Sequence, residues 1–209
     1  MKRQPLIELL TEYQRRFPQD QDRIERVQLF VERRADCFER TCLEGHITAS
    51  AWILSPDRKS FLLTHHRKLS RWLQLGGHAD GDSRVDEVAL REAREESGMQ
   101  DFEFYDKGSR RIPMDVDVHA IPARGPEPRH WHYDIRYCLV AGPGQELVVS
   151  DESHDVRWFP MNQLESVVDE ESLLRMGERV RDLLVSASQD SNVYEKGDCC
   201  RGLTSLLRW

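Results

Sequence analysis

Residues 76–99 read GGHADGDSRVDEVALREAREESGM, and their spacing decides the fold and points to the chemistry. Ser83 with Asp86 three positions later has the form of a capping box, which predicts a helix starting near Arg84. Gly98 stands where a helix needs a left-handed terminating residue. Between them lies a helix of about fourteen residues. On it Glu92, Glu95 and Glu96 fall at i, i+3 and i+4, so three carboxylates share one face. Like charges at this spacing repel. A divalent cation removes the conflict, and oxygen ligands suit Mg²⁺ or Mn²⁺. The opposite face carries Val85, Val88, Ala89 and Ala93, which can pack on a sheet. Arg91 and Arg94 can pair with neighbouring carboxylates. The plainer reading is a solvated charged face laced with Arg–Glu pairs.

Outward from this helix the period changes. Ile47, Ala49, Ala51 and Ile53 alternate with Thr48, Ser50, Trp52 and Leu54, which is the pattern of a strand. Ser55-Pro56-Asp57 signals a turn, and residues 61–64 read as the returning strand. Further strands are expected at 102–105, 116–121, 133–140 and 156–159, and a helix over roughly 170–187. Residues 122–128, PARGPEP, form a loop. Before the first strand, Leu6, Leu9, Leu10, Tyr13 and Phe17 mark a short helix closed by Pro18. Ile24, Val27, Val31, Ala35, Phe38 and Cys42 mark a second. The expected division is a helical extension over 1–44 packed on the core, a main α/β domain over 45–188, and a tail over 189–209 that Leu203, Leu206, Leu207 and Trp209 could dock. The helical pair also leaves room for a homodimer surface or a lid.

Composition narrows the function. The chain has 209 residues, 39% hydrophobic and 32% charged, with a net charge of −7. That describes an ordered globular protein, and the acidic balance argues against nucleic-acid binding, which runs on basic surface. The N-terminus has no apolar run long enough for a signal peptide or membrane span, so the expected location is the cytoplasm. Five cysteines, none spaced Cys-x-x-Cys, indicate neither a zinc ribbon nor a thioredoxin-type site. The adjacent Cys199 and Cys200 read as a bland tail.

The segment resembles the signature of Nudix hydrolases. Counted from Gly77, the spacing leads to Arg91, Glu92, Ala93, Arg94, Glu95, Glu96, Ser97, Gly98 and Met99. One departure is present: Ser83 holds the place of the family's first Glu, with Asp82, Asp86 or Glu87 as substitutes. The resemblance implies an α/β/α sandwich with a mixed sheet. It implies metal-dependent cleavage of a nucleoside diphosphate linked to another moiety. Glu95 and Glu96 would ligate Mg²⁺ (or Mn²⁺), Glu92 would be a further ligand or base, and the Gly76 or Gly77 carbonyl would assist. Arg91 would act among the catalytic residues. Glu152, in a loop before the last strand, would be a base or substrate contact. His78 and Asp80 follow the glycines, and His130, His132 and Asp134 share one strand face, so these five are candidate substrate contacts. The basic run at His65, His66, Arg67, Lys68 and Arg71 reads as a hairpin edge or as steering for an anion. Two other functions stay open. One is a catalytically weak nucleotide sensor, favoured by Ser83. The other is isopentenyl-diphosphate isomerase, which needs a cysteine acid in the cleft.

Overall fold

The computed structural model describes residues 2–108 and 110–197, with side chains to Ser186. The chain opens with α1 (Gln4–Arg16), a 3₁₀ turn (Pro18–Asp20) and α2 (Gln21–Arg33). Strands β1 (Gly45–Leu54), β2 (Ser60–His66), β3 (Arg71–Leu73) and β4 (Leu75–His78) follow, then α3 (Val85–Ser97). β5 (Phe102–Phe104), β6 (Asp115–Ile121), β7 (His130–Ala141) and β8 (Ser153–Pro160) complete one mixed sheet of eight strands. The short α4 (Leu164–Val167) and the long α5 (Glu171–Gly197) end it. Cys199, Cys200, Leu203, Leu206, Leu207 and Trp209 lie outside the described residues.

The sheet is organised by one parallel pair. β1 runs beside β7 from Gly45↔Trp131 to Leu54↔Val140, and every other pairing is antiparallel. The two-residue alternation of side chains then assigns each face. Ile47, Ala49, Ala51 and Ile53 of β1, with Tyr133, Ile135, Tyr137 and Leu139 of β7, share a core with α1, α2 and α3. On the opposite face Trp52, Leu54 and Cys138 share a second core with Leu173, Met176 and Val180 of α5. The result is the expected α/β/α sandwich. Among the described residues no helix is long and apolar enough to cross a membrane.

Two local expectations are corrected. Ser83 does not cap α3: the N-cap is Arg84, without a side-chain cap hydrogen bond. Asp82 instead accepts from the Arg84 backbone and guanidinium at 2.9 and 2.8 Å, so it orders the turn before the helix. The second N-terminal helix stops at Arg33. Ala35 and the residues beyond it run through turns, yet Cys37, Phe38 and Cys42 are still buried, because the turns fold under the start of β1. Gly98 does terminate α3, at φ 76°, with its amide on the Arg94 carbonyl at 2.9 Å.

The middle of the α5-facing side is ionic. Arg136 is fully buried against Asp134, Asp115 and Asp117, at 2.8, 3.5 and 3.3 Å. Arg175 and Arg179 from α5 reach into the same cluster, and Arg179 continues to Asp20 at 2.7 Å, tying α5 to the N-terminal helices. Burial opposes ionisation of Asp117, but the His119 hydrogen bond and the Arg136 and Arg175 charges outweigh it and hold its carboxyl well below the usual range. Removing one partner of such a buried network leaves uncompensated charge and costs about 3–5 kcal/mol. R136M should therefore lower the urea unfolding midpoint steeply, whereas R84A, which breaks an exposed pair, should leave it in place. A depressed carboxylate pKa stabilises the fold above its unfolded value and loses that contribution as pH falls. The difference in urea midpoint between the parent and D117N, which removes this carboxylate, should accordingly hold from pH 7 to about 5 and shrink below about pH 4, near the unfolded Asp pKa.

Candidate active site

β4 brings Gly76 and Gly77 against α3. Their lack of side chains is required by contact. A Cβ on Gly76 would lie 2.6 Å from the Ser50 Cα and 2.8 Å from the Ala49 carbonyl oxygen, while a Cβ on Gly77 would lie 2.6 Å from the Glu92 carboxyl carbon. The Gly76 amide donates to Glu96 Oε2 at 2.9 Å. Arg91 donates to the His78 carbonyl at 2.9 Å, pairs with Glu92 at 2.9 Å and approaches Glu95 at 3.5 Å. The Arg therefore fixes the backbone just after the two glycines to the carboxylate face of the helix.

The three glutamates differ in exposure. The Glu95 side chain is 59% exposed, whereas the Glu92 side chain is 13% exposed and Glu96 as a residue 7%. Glu96 thus departs from the solvated charged face of the plainer reading. Burial pushes Glu92 up to about 7, against the opposing charge of Arg91 and with the help of Glu95 and Glu152. Burial pushes Glu96 up to about 8, against the Gly76 hydrogen bond and with the help of Glu92 and Glu152. Two carboxylates made harder to ionise by burial and by neighbouring acids fit a site for a hard dication. Glu92, Glu95 and Glu96 are the residues that could hold such an ion, with the Gly77 backbone lying against Glu92.

The remaining candidates fall into separate groups. Glu152 is exposed in the turn leading into β8, and its charge reaches Glu92 and Glu96. Asp80 adopts φ 48° and is held bidentately by Arg40. Asp134 is on the face expected, but it is not open to a ligand: its oxygens accept from Thr48, Ser50, Arg136 and Gln74, at 3.0, 2.8, 2.8 and 3.3 Å. It is part of the buried ionic network. His78, His130 and His132 cluster with His46, a residue that no sequence motif singles out. The substitutes for the family's first Glu are occupied elsewhere. Asp86 and Glu87 both pair with Arg111, at 3.0 and 2.9 Å, and Asp82 with Arg84. The basic run forms the β2–β3 hairpin, with Arg67, Lys68 and Arg71 exposed. Cys138, Cys37 and Cys42 are buried in the two cores, so among the described residues no cysteine faces the carboxylates.

Adjacent glycine substitutions should separate the roles of this strand. G76A forces backbone against backbone and should destabilise the fold by about 1–3 kcal/mol in urea melts. G77A meets only the carboxyl end of the Glu92 side chain, not backbone, so it should fold normally while weakening Mn²⁺ binding by at least about tenfold, by calorimetry.

Three comparisons bear on this geometry. A family model described as the NUDIX domain matches residues 45–180. Among solved structures, a NUDIX-family hydrolase from Clostridium perfringens aligns at 25% identity and a TM-score of 0.54, over 66% of this chain and 97% of its own. A C. elegans Ap4A hydrolase aligns with the same TM-score of 0.54 at 15% identity, over 67% of this chain and 98% of its own. A Nudix hydrolase from M. smegmatis aligns at 16% identity and a TM-score of 0.50, over 68% of this chain and 88% of its own. The last two show a shared fold. No curated protein matches the chain. With the matched span covering most of the sequence and the carboxylate helix lying inside it, the chain belongs to the Nudix family and is a hydrolase of pyrophosphate bonds.

Proposed function

We propose that the protein is a Mg²⁺- or Mn²⁺-dependent pyrophosphohydrolase acting on a nucleoside diphosphate linked to another moiety. The observation that carries this reading is the convergence of Glu92 and Glu96, both shielded from water, on the Gly76–Gly77 strand with Arg91 as the direct ion-pair partner of Glu92. A bound dication would neutralise charge at the phosphate oxygens and lower the pKa of a water nucleophile. Glu95 and Glu96 would hold the ion, and Glu92 would be a further ligand. Arg91 keeps Glu92 and the His78 carbonyl in register, so the donors need little rearrangement when substrate arrives. Glu152 is the candidate base: exposed, and near enough that its charge acts on both buried glutamates. His78, at the end of the glycine strand, is the substrate contact nearest to this machinery.

The nucleotide-sensing alternative is favoured by the loss of the first Glu to Ser83. The pairing of Arg91 with Glu92 and Glu95 weighs against it. The test is product chromatography over nucleoside triphosphates, ADP-ribose, dinucleoside polyphosphates, nucleotide sugars and NADH, each with Mg²⁺, Mn²⁺ or EDTA. One class should be cleaved, with EDTA abolishing turnover. E96Q should lose about 10²–10⁴-fold in kcat while keeping its unfolding midpoint close to the parent's. Silence across the panel, with nucleotide binding intact, would establish the sensor instead.

A further inference from the structure

The face of the sheet that carries the ionic network also carries a row of histidines. His46 of β1 is registered directly against His132 of β7, which is registered against His119 of β6. His130 lies two residues before His132 and so points to the same side. His46 and His130 are 2% and 4% exposed. The Nε2 atom of His132 lies 3.2 Å from Nε2 of His46 and 3.3 Å from Nε2 of His130.

Hydrogen bonding alone does not satisfy this arrangement. A neutral imidazole carries one N–H. In His130 it is placed on Nδ1, which donates to the Pro128 carbonyl at 3.0 Å, so Nε2 presents a lone pair. If His132 carries its proton on Nε2, that proton can point at His130 or at His46, but not at both. If His132 carries it on Nδ1, its Nε2 lone pair faces that of His130. In every assignment one nitrogen pair at hydrogen-bond distance lacks a well-directed proton between its members. His46 adds a second deficit. Its Nδ1 is buried without a hydrogen-bond partner, although the nearby Cys42 backbone favours the protonated ring. Burial, reinforced by the neighbouring imidazoles, pushes His46 down to about 4 and His132 to about 2, so both are uncharged at neutral pH.

The distances fit a metal ion. In a tetrahedral site with metal–nitrogen bonds of about 2.0–2.1 Å, ligand atoms stand about 3.3–3.4 Å apart. Two of the three edges, at 3.2 and 3.3 Å, are already close to that length. All three ligand atoms lie within 4.8 Å of one another, and binding would require the His46 ring to turn so that the third edge shortens. The Pro128 carbonyl holds the His130 ring with its Nε2 free, as a carbonyl commonly does for a metal-bound imidazole. Glu127, whose carboxylate is 3.8 Å from His130 Nε2, stands at the rim for a fourth position. We propose that His46, His130 and His132 form a binding site for a borderline transition-metal dication, Zn²⁺ or Co²⁺. The site is built on the β1–β7 pair and is distinct in ligand chemistry from the oxygen donors of α3.

The test uses the full chain with excess Mg²⁺ to occupy oxygen sites, titrated with Co²⁺ alone and followed by visible absorption. One equivalent should produce the intense bands of tetrahedral cobalt. E96Q should bind equally well, and H130Q and H132Q should each weaken binding by at least about 10–100-fold. Long-range ¹⁵N spectra of the unsubstituted chain give a readout free of folding defects: one equivalent of Zn²⁺ should shift the Nε2 resonances of the three histidines. Absence of the bands, bands that survive in both histidine variants, loss of binding in E96Q alone, or unmoved imidazole resonances would each overturn the site.

Discussion

The hydrogen bond from the Gly76 amide to the Glu96 carboxylate, 2.9 Å long, joins the two halves of the site and sets conditions on much of the fold. It requires β4 to run beneath α3 with no side chain between them, which explains Gly77, whose Cβ would strike Glu92; Gly76 is required by the neighbouring strand, where a Cβ would strike Ser50 of β1. It also requires β4 to lie beside β1, where Gly76 is registered against Ser50 and Gly77 against Ala49. The packing of Val85, Val88, Ala89 and Ala93 in the sheet core then fixes the rotation of the helix. With that rotation set, Glu92 and Glu96 have no route to bulk water comparable to that of Glu95.

This placement works against folding in the absence of a cation. Burying carboxylates raises their pKa and costs stability unless charge is supplied. Arg91 supplies part of it, but the same guanidinium is also engaged by the His78 carbonyl and Glu95. A dication is the economical complement, and a phosphate-bearing substrate brings further oxygen donors of the kind such an ion prefers. Away from the site, the sheet uses the opposite solution. There Arg136, Arg175 and Arg179 meet Asp115, Asp117 and Asp134 within the protein itself, and nothing from solvent is needed.

The carboxylate helix is legible in the sequence because its signals are local: three acids at i, i+3 and i+4, small apolar residues opposite, and Gly98 at the end. The strand alternation in β1 is equally local and assigns its faces correctly. The helix start is read to within one residue, but its cap misleads because Asp82 and Ser83 compete for the same turn, and Asp82 satisfies it through Arg84. The second helix reads too long because Phe38 and Cys42 are buried in turns at spacings that imitate a helical stripe. The role of Asp134 and the membership of His46 in the histidine row depend on which residues face each other across β1 and β7, 86 positions apart. A hint is present, since His46-Thr48-Ser50 and His130-His132-Asp134-Arg136 are both polar at every second residue. Only the parallel register shows that the two polar rows coincide.

The most direct measurement is an anomalous-scattering map from crystals of the protein grown with Mn²⁺. If the buried glutamates await a dication, a manganese peak will stand between the carboxylates of Glu92, Glu95 and Glu96 beside the Gly76–Gly77 backbone. A map with no peak there, or with manganese bound only at surface carboxylates while Glu92 and Glu96 keep their present contacts, would contradict that reading of the site.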